Sequence, residues 1–446
     1  MVHPTGARTV TLALAGLLAL PSLVVGQTPA FPPVAQPEDA GFSTERLERI
    51  ESVLDDLIAE AAIPGAVVLI VRNGQAVMYE AFGVRNTNTG DRLLRDDIFR
   101  MASQSKAVTA LAVMMLWEEG HFGLDDPVAR YIPEFGDPTV LSSFDPADSS
   151  YTAEPTRRPI TVRQLLTHTA GLDYAAIGSP EFQAIYAKAG IPSGIGIEDG
   201  ELGDRMRALA RLPLRAAPGE RFIYSLGSDV LGHLVEVISG MPFDRFLRTR
   251  ILAPLGMDDT WFYLPPDRHD RLVALHDGES GAVRPMTGLA FDGVDPDYPK
   301  LQGTYFSGGA GLSGPIEDYA KFLQLFLNGG EYNGARLLSR KTVELMLTDQ
   351  LPGLPGEFGL GFGLETGRAA QAHKVGMADS KYGPATIKAK VGDTLSFVND
   401  DYENHWVYVP TFGHQISRAG IKPGESWNVE LQRPGTFIVN CGLPAR

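Results

Sequence analysis

The chain has 446 residues, 44% of them hydrophobic, which is enough for a large core and two or three domains. Its formal net charge of −15 and lack of any Lys/Arg-rich run exclude a nucleic-acid surface. With Cys441 as the sole cysteine, an intrachain disulfide is excluded too.

Thr9 to Gly26 is an apolar segment behind Arg8, ending in Val24-Val25-Gly26 before Gln27. This reads as a secretory signal over 1–26, since Pro21 and the short length argue against a membrane anchor. The mature chain is then expected to begin near Gln27, without a membrane span, and to work as a secreted or periplasmic protein. No cysteine lies near the cleavage site, which excludes lipid attachment there. Residues 27–36 form a Pro-rich leader. Leu47, Ile50, Val53, Leu54, Leu57 and Ile58 recur at helical spacing, with Ser43 or Thr44 available as cap. Residues 66–71 and 76–82 read as two strands, and Asn73-Gly74 between them is a strong hairpin signal.

The stretch Met101-Ala102-Ser103-Gln104-Ser105-Lys106 precedes an apolar run, 107–116, without a helix breaker before Gly120. Ser103 then falls at a helix start with Lys106 one turn along on the same face. A serine hydroxyl needs an adjacent base to act as a nucleophile, and desolvation favours the neutral, proton-accepting form of a lysine. The helix N-terminus adds partial positive charge where an oxyanion would form. The alternative is an ordinary N-cap serine beside a solvated lysine.

Thr161 to Ala170 reads as a short helix stopped by Gly171. His168 within it is expected to be a structural residue packed under the site rather than a base. Residues 178–203 are a lid over a pocket or an exposed insertion. Tyr224, in Pro218-Gly219-Glu220-Arg221-Phe222-Ile223-Tyr224-Ser225-Leu226, is a general base or acid beside a lysine, or a buried aromatic.

Five segments in this order carry a resemblance. They are Ser-Gln-Ser-Lys (103–106), Leu-Leu-Thr-His-Thr-Ala-Gly-Leu (165–172), Pro-Gly-Glu-x-Phe-x-Tyr-Ser (218–225), Ala-Pro-Leu-Gly-Met-x-Asp-Thr-x-Phe (253–262) and Gly-Gly-Ala-Gly-Leu (308–312). The chain resembles the serine β-lactamase-related superfamily, specifically class C β-lactamases and the carboxylesterases of that fold, over roughly 37–365. The resemblance implies an α+β, β-lactamase/transpeptidase-like fold in which an antiparallel sheet carries a helical subdomain. It also implies an acyl-enzyme mechanism that needs no cofactor. Ser103 would be the nucleophile, Lys106 its activating base and Tyr224 the proton shuttle, with the Ser103 N–H as one oxyanion donor. The expected substrate is a small-molecule ester or lactam. Leu226 stands where lactamases carry the Asn of Tyr-x-Asn, so no side-chain amide meets a lactam, and the expectation moves to a short-chain carboxylic ester. Lactamase or D-amino-acid peptidase activity with the same residues is the alternative.

The resemblance breaks after the glycine-rich segment 358–363. The family's third motif is expected to be missing from the hydrolase domain, 37–368, and Lys374-Val375-Gly376 is only superficially similar to it. Residues 372–446 read as short strands (385–389, 394–398, 427–431 and 436–439) punctuated by Gly392-Asp393, Lys422-Pro423-Gly424 and Arg433-Pro434-Gly435. This part resembles a cupredoxin, a small all-β Greek-key sandwich, incomplete at its C-terminal end. His405 and Cys441 match one histidine and the cysteine of a blue-copper site, but the second histidine and the axial methionine are absent. A copper-free sandwich is therefore expected, with copper at His405 and Cys441 as the alternative, or a catalytically inactive binding protein if loss of the third motif is fatal. Oligomeric state has no signature in the sequence.

Overall fold

The computed structural model describes residues 29–197, 200–278, 283–289, 293–351, 353–354, 356–365, 372–378, 381–383, 393–400, 407–408, 421–430 and 440–441. Helix α1 (Thr44–Ala59) starts where Ser43 Oγ accepts the Arg46 N–H at 3.4 Å. Strands β1 (Gly65–Arg72) and β2 (Gln75–Asn86) form the expected antiparallel hairpin, with Arg72 opposite Gln75. The turn works because Asn73 and Gly74 both adopt positive φ, 52° and 76°, which matches the twist of the flanking strands. Strand β3 (Asp91–Arg92) completes a three-stranded sheet in the order β1-β2-β3.

Strand β4 (Phe99–Arg100) pairs with Ser313–Gly314 and leads into helix α2 (Ser105–Glu118). Every residue of α2 from Ser105 to Leu116 is buried. A helix apolar all round belongs in the middle of a core, and α2 lies in the largest hydrophobic cluster of the molecule. Around it come the hairpin of β5 (Thr139–Asp145) and β6 (Ser150–Pro155), then α3 (Val162–Leu166), α4 (Pro180–Lys188), α5 (Leu202–Leu209) and α6 (Gly227–Ser239). Thr161 and Gln164 form a reciprocal capping box at the start of α3.

Two expectations are refined. The Pro-rich leader is partly built into the fold: Val34 N–H donates to Ala76 O and Ala76 N–H to Pro32 O, while Phe31 is buried and stacks on Tyr332. Proline removes donors but leaves carbonyls and one free N–H, enough for a short pairing along β2. Nor is the segment 178–203 an exposed insertion, because α4 within it buries Phe182, Ile185 and Tyr186 in the main core.

Beyond Glu365 the described strands pair among themselves. Ala372–Ala378 runs parallel to Thr394–Asn399 and antiparallel to Lys381–Gly383, and Ser426–Glu430 pairs antiparallel with Thr394–Asn399. Val407–Tyr408 pairs with Asn440–Cys441. Val375, Met377, Phe397, Val407, Ile421 and Val429 make a hydrophobic cluster separate from the main one. The expected strands 394–398 and 427–431 correspond to Thr394–Asn399 and Ser426–Glu430. Those at 385–389 and 436–439 lie outside the described residues, as do His405 and the Cys441 side chain.

Candidate active site

Ser103 sits in a single 3-10 turn, Ala102–Gln104, just ahead of α2. Ala102 adopts φ 44°, a left-handed conformation that is unfavourable for a residue with a Cβ. That turn leaves Ser103 exposed while Lys106, one helical turn on, is buried at 6% exposure. The helix therefore presents a solvent-facing hydroxyl above a dry amine.

The Lys106 ammonium has three hydrogens and donates to three oxygens. These are the Gly309 carbonyl at 2.7 Å, Ser103 Oγ at 3.3 Å and the Tyr174 hydroxyl at 3.3 Å. It also lies over the Tyr224 ring, 4.7 Å from the centroid, and the Tyr174 ring, at 5.3 Å. Tyr174 and Tyr224 stack nearly parallel, 5.7 Å apart. Tyr224 is thus brought to the site, but it presents its face to the lysine, and the phenol that reaches Nζ is that of Tyr174. Asp173 fixes the latter residue: Oδ1 accepts the Tyr174 N–H at 2.9 Å, and Oδ2 accepts from Ser179 N–H and Arg215. Burial pushes the Tyr174 phenol upward, which keeps it protonated.

The Gly-Gly-Ala-Gly-Leu segment runs alongside α2. Leu312 N–H donates to Ser105 Oγ at 3.1 Å, Thr109 donates to Gly308 O at 2.7 Å, and Met101 N–H donates to Leu312 O. The glycines are steric necessities, since a Cβ on Gly309 would come 2.6 Å from Asp229 Oδ2 and 3.5 Å from Lys106 Nζ. Asp229, on α6, is fully buried.

His168 has the structural place expected of it. It is buried among Tyr224, Phe222 and Phe358, with Nδ1 accepting the Ser225 N–H at 3.3 Å. Burial, aided by the Lys106 charge, lowers its pKa to about 3, so it is a neutral prop under the Tyr224 loop. Leu226 is fully buried in the main core and presents no surface at the site.

The superficial third motif stays out of this constellation. Lys374 is exposed and ion-pairs with Asp400 at 3.2 Å, on a strand that among the described residues pairs within the second sheet. The glycine-rich segment before it does reach α2, where Gly361, at φ 88°, packs directly on Ala110. Among the described residues no group of three or more His, Cys, Asp or Glu side chains is placed to hold a metal, and no helix is long and apolar enough to cross a membrane.

Sequence reasoning missed Tyr174 and Asp229. Tyr174 lies 68 residues from Lys106, and no local period links them. The available signal was position: Tyr174 follows the Thr-Ala-Gly-Leu run, and Asp229 follows Tyr224 within one segment.

The family model Beta-lactamase matches residues 50–399. Esterase EstB of Burkholderia gladioli is 34% identical over 62% of this chain and 69% of its own length. The lovastatin esterase of Penicillium rubens is 30% identical over 68% of this chain and 73% of its own. Among solved structures, EstCE1, a hydrolase with promiscuous acyltransferase activity, superposes with a TM-score of 0.60 at 30% identity, over 71% of this chain and 81% of that one.

Proposed function

The chain belongs to the Beta-lactamase family, and from that premise we infer that it is a serine hydrolase cleaving carboxylic esters through an acyl-enzyme. The observation that carries the reading is the buried Lys106 amine within hydrogen-bond reach of the exposed Ser103 hydroxyl. When Lys106 gives up one proton, its lone pair can accept the Ser103 hydroxyl hydrogen. Ser103 Oγ then bonds to the acyl carbon, the Ser103 N–H receives the developing oxyanion, and the C–O bond to the alkoxy group breaks. The proton on Lys106 is delivered to the departing alkoxide; the family resemblance assigns this transfer to Tyr224, whose ring lies over Nζ, while the phenol within hydrogen-bond reach of Nζ is that of Tyr174. Water, deprotonated by the same groups, attacks the acyl-enzyme, releases the carboxylic acid and returns the proton to Ser103. No cofactor enters this chemistry.

Two points support esters over lactams. Similar proteins carry esterase names, and Leu226 offers no side-chain amide to a lactam. Small aliphatic esters are the expected substrates.

The test is hydrolysis of p-nitrophenyl butyrate by the purified protein and by Ser103→Ala, with Tyr174→Phe and Tyr224→Phe measured alongside. Ser103→Ala is expected to lose at least about 1000-fold in kcat, and Tyr224→Phe more than Tyr174→Phe. Activity of Ser103→Ala equal to the parent would refute the reading. Faster turnover of a chromogenic cephalosporin than of the ester would move it to a lactamase.

Two further elements of this proposal concern the ends of the chain. Residues 1–26 act as an export signal, a point that N-terminal sequencing of protein recovered outside the cytoplasm would test. The C-terminal part, 372–446, is proposed to be cupredoxin-like, a reading supported among the described residues by a four-stranded sheet in which Ala372–Ala378 runs parallel to Thr394–Asn399. It is proposed to be copper-free, so Cu(II) is expected to produce no intense visible absorption band.

A further inference from the structure

Beneath the turn that grips Lys106 lies a carboxylate without an evident structural purpose. Asp229 has 0% exposure, and among the described residues its Oδ2 has no hydrogen-bond partner. Leaving a buried carboxylate oxygen unpaired is costly, and such a group is normally retained for a reason other than stability. Its second oxygen accepts the Ser307 hydroxyl at 2.6 Å. Ser307 Oγ in turn accepts the Gly309 and Ala310 N–H groups at 3.2 and 3.1 Å, and the Gly309 carbonyl receives Lys106 Nζ at 2.7 Å. Asp229 and Lys106 therefore flank the same glycine from two sides. They form no direct ion pair, but they lie close enough to feel each other's charge.

We propose that Asp229 is a positioning residue for Lys106: it anchors the Ser307–Gly309 turn whose carbonyl grips the ammonium, and its negative charge holds the proton on that nitrogen in the resting enzyme. This rests on the serine-hydrolase reading above. The titratable groups facing Lys106 are His168, Tyr174, Tyr224 and Asp229. Those facing Asp229 are Lys106, Tyr174 and Tyr305, the last with its hydroxyl buried and unpartnered and with Arg205 of α5 on its far side. Burial keeps His168 neutral and both Tyr174 and Tyr305 protonated, so Asp229 is the acidic side chain of the set. Burial also pushes the Asp229 carboxyl above the usual range, while the Ser307 hydroxyl and the Lys106 charge pull it back. Gly194 lies against Ser307 and Asp229, where an added Cβ would come 2.8 Å from Ser307 Oγ.

The decisive measurement is the pH profile of kcat/KM for p-nitrophenyl butyrate, with the pH dependence of Ser103 labelling by a fluorophosphonate, read by intact mass, as a substrate-independent companion. In Asp229→Asn the acid limb of both curves is expected to move to lower pH by about one to two units, because Ser103 activation no longer works against the carboxylate. Ser307→Ala keeps the charge and loses only the anchor, so its rate should fall while its limb moves far less. Should the amide variant fail to fold, Asp229→Ala carries the same expectation. An unmoved limb in a folded Asp229 variant overturns the proposal, and so does an equal shift in Ser307→Ala. If the parent hydrolyses no ester but still labels at Ser103, the ester reading fails and the labelling curve decides the role of Asp229. If Ser103 does not label at all, both readings fall.

Discussion

Three oxygens converge on the Lys106 ammonium, and their origins divide the site into local and distant parts. Ser103 is local, three residues away, and its relation to Lys106 follows from helix geometry alone. Tyr174 and Gly309 arrive from 68 and 203 residues along the chain, so only packing brings them there. His168 shows a residue whose part in the site is support. Its pKa in the folded chain, about 3, lies below the unfolded value near 6.5. The unfolded chain therefore binds more protons between those two values, and stability falls as pH drops through that window, by roughly 1.4 kcal/mol per unit from this residue. His168→Gln is expected to lose this acid sensitivity, so the slope of melting temperature against pH below about 6 should flatten. An unchanged slope would show that His168 titrates normally in the folded state.

At the level of elements, α2 is the most completely buried helix among the described residues; it carries Lys106, with Ser103 in the turn just ahead of it. A rod enclosed on every side cannot rock, so the Ser103–Lys106 geometry at its start is held to the precision of the packing around it. The sheet contributes less: among the described residues β1 pairs with β2 alone, and the site faces the glycine segment 308–312 and α6. Met114, wholly buried in α2, tests this dependence. Met114→Ala is expected to destabilise the protein by about 2–5 kcal/mol in urea unfolding, and to lower kcat more than it raises KM. A loss of stability with unaltered kcat would mean that the helix start is held locally, by the Leu312–Ser105 and Thr109–Gly308 hydrogen bonds.

Across the whole molecule the described residues fall into a large α+β body and a smaller all-β part with its own hydrophobic cluster. Sheets that exchange no strands and cores that share no side chains melt independently when the linkage between them is weak. Calorimetry of the full chain is expected to resolve two transitions. A chain ending after Glu365 should keep the larger transition and hydrolyse p-nitrophenyl butyrate at a rate of the same order. Loss of hydrolysis in that shortened, folded chain would place part of the site in the C-terminal strands.

Much of this was legible in residue order, for reasons that are local. The Asn73-Gly74 turn, the Ser43 cap and the Ser103–Lys106 spacing each depend on a few neighbouring residues, whose conformational limits hold in any fold. His168 packs under the Tyr224 loop as expected, although the expected helix 161–170 ends at Leu166 and His168 lies beyond it at φ 55°. Family resemblance extended the reading to Tyr224, but not to the orientation of its ring or to the rival phenol of Tyr174. Asp229 left no trace beyond a charge at the start of an otherwise ordinary amphipathic helix. Its burial, its unpaired oxygen and its approach to Lys106 exist only once α2, α6 and the 307–309 turn have closed around one point. The sequence by itself determined the Ser103–Lys106 spacing and the buried helix that begins there, because those depend on neighbouring residues along one stretch. The tertiary structure alone decided which hydroxyl, carbonyl and carboxylate surround that lysine, because distant segments meet only through the burial of a shared core.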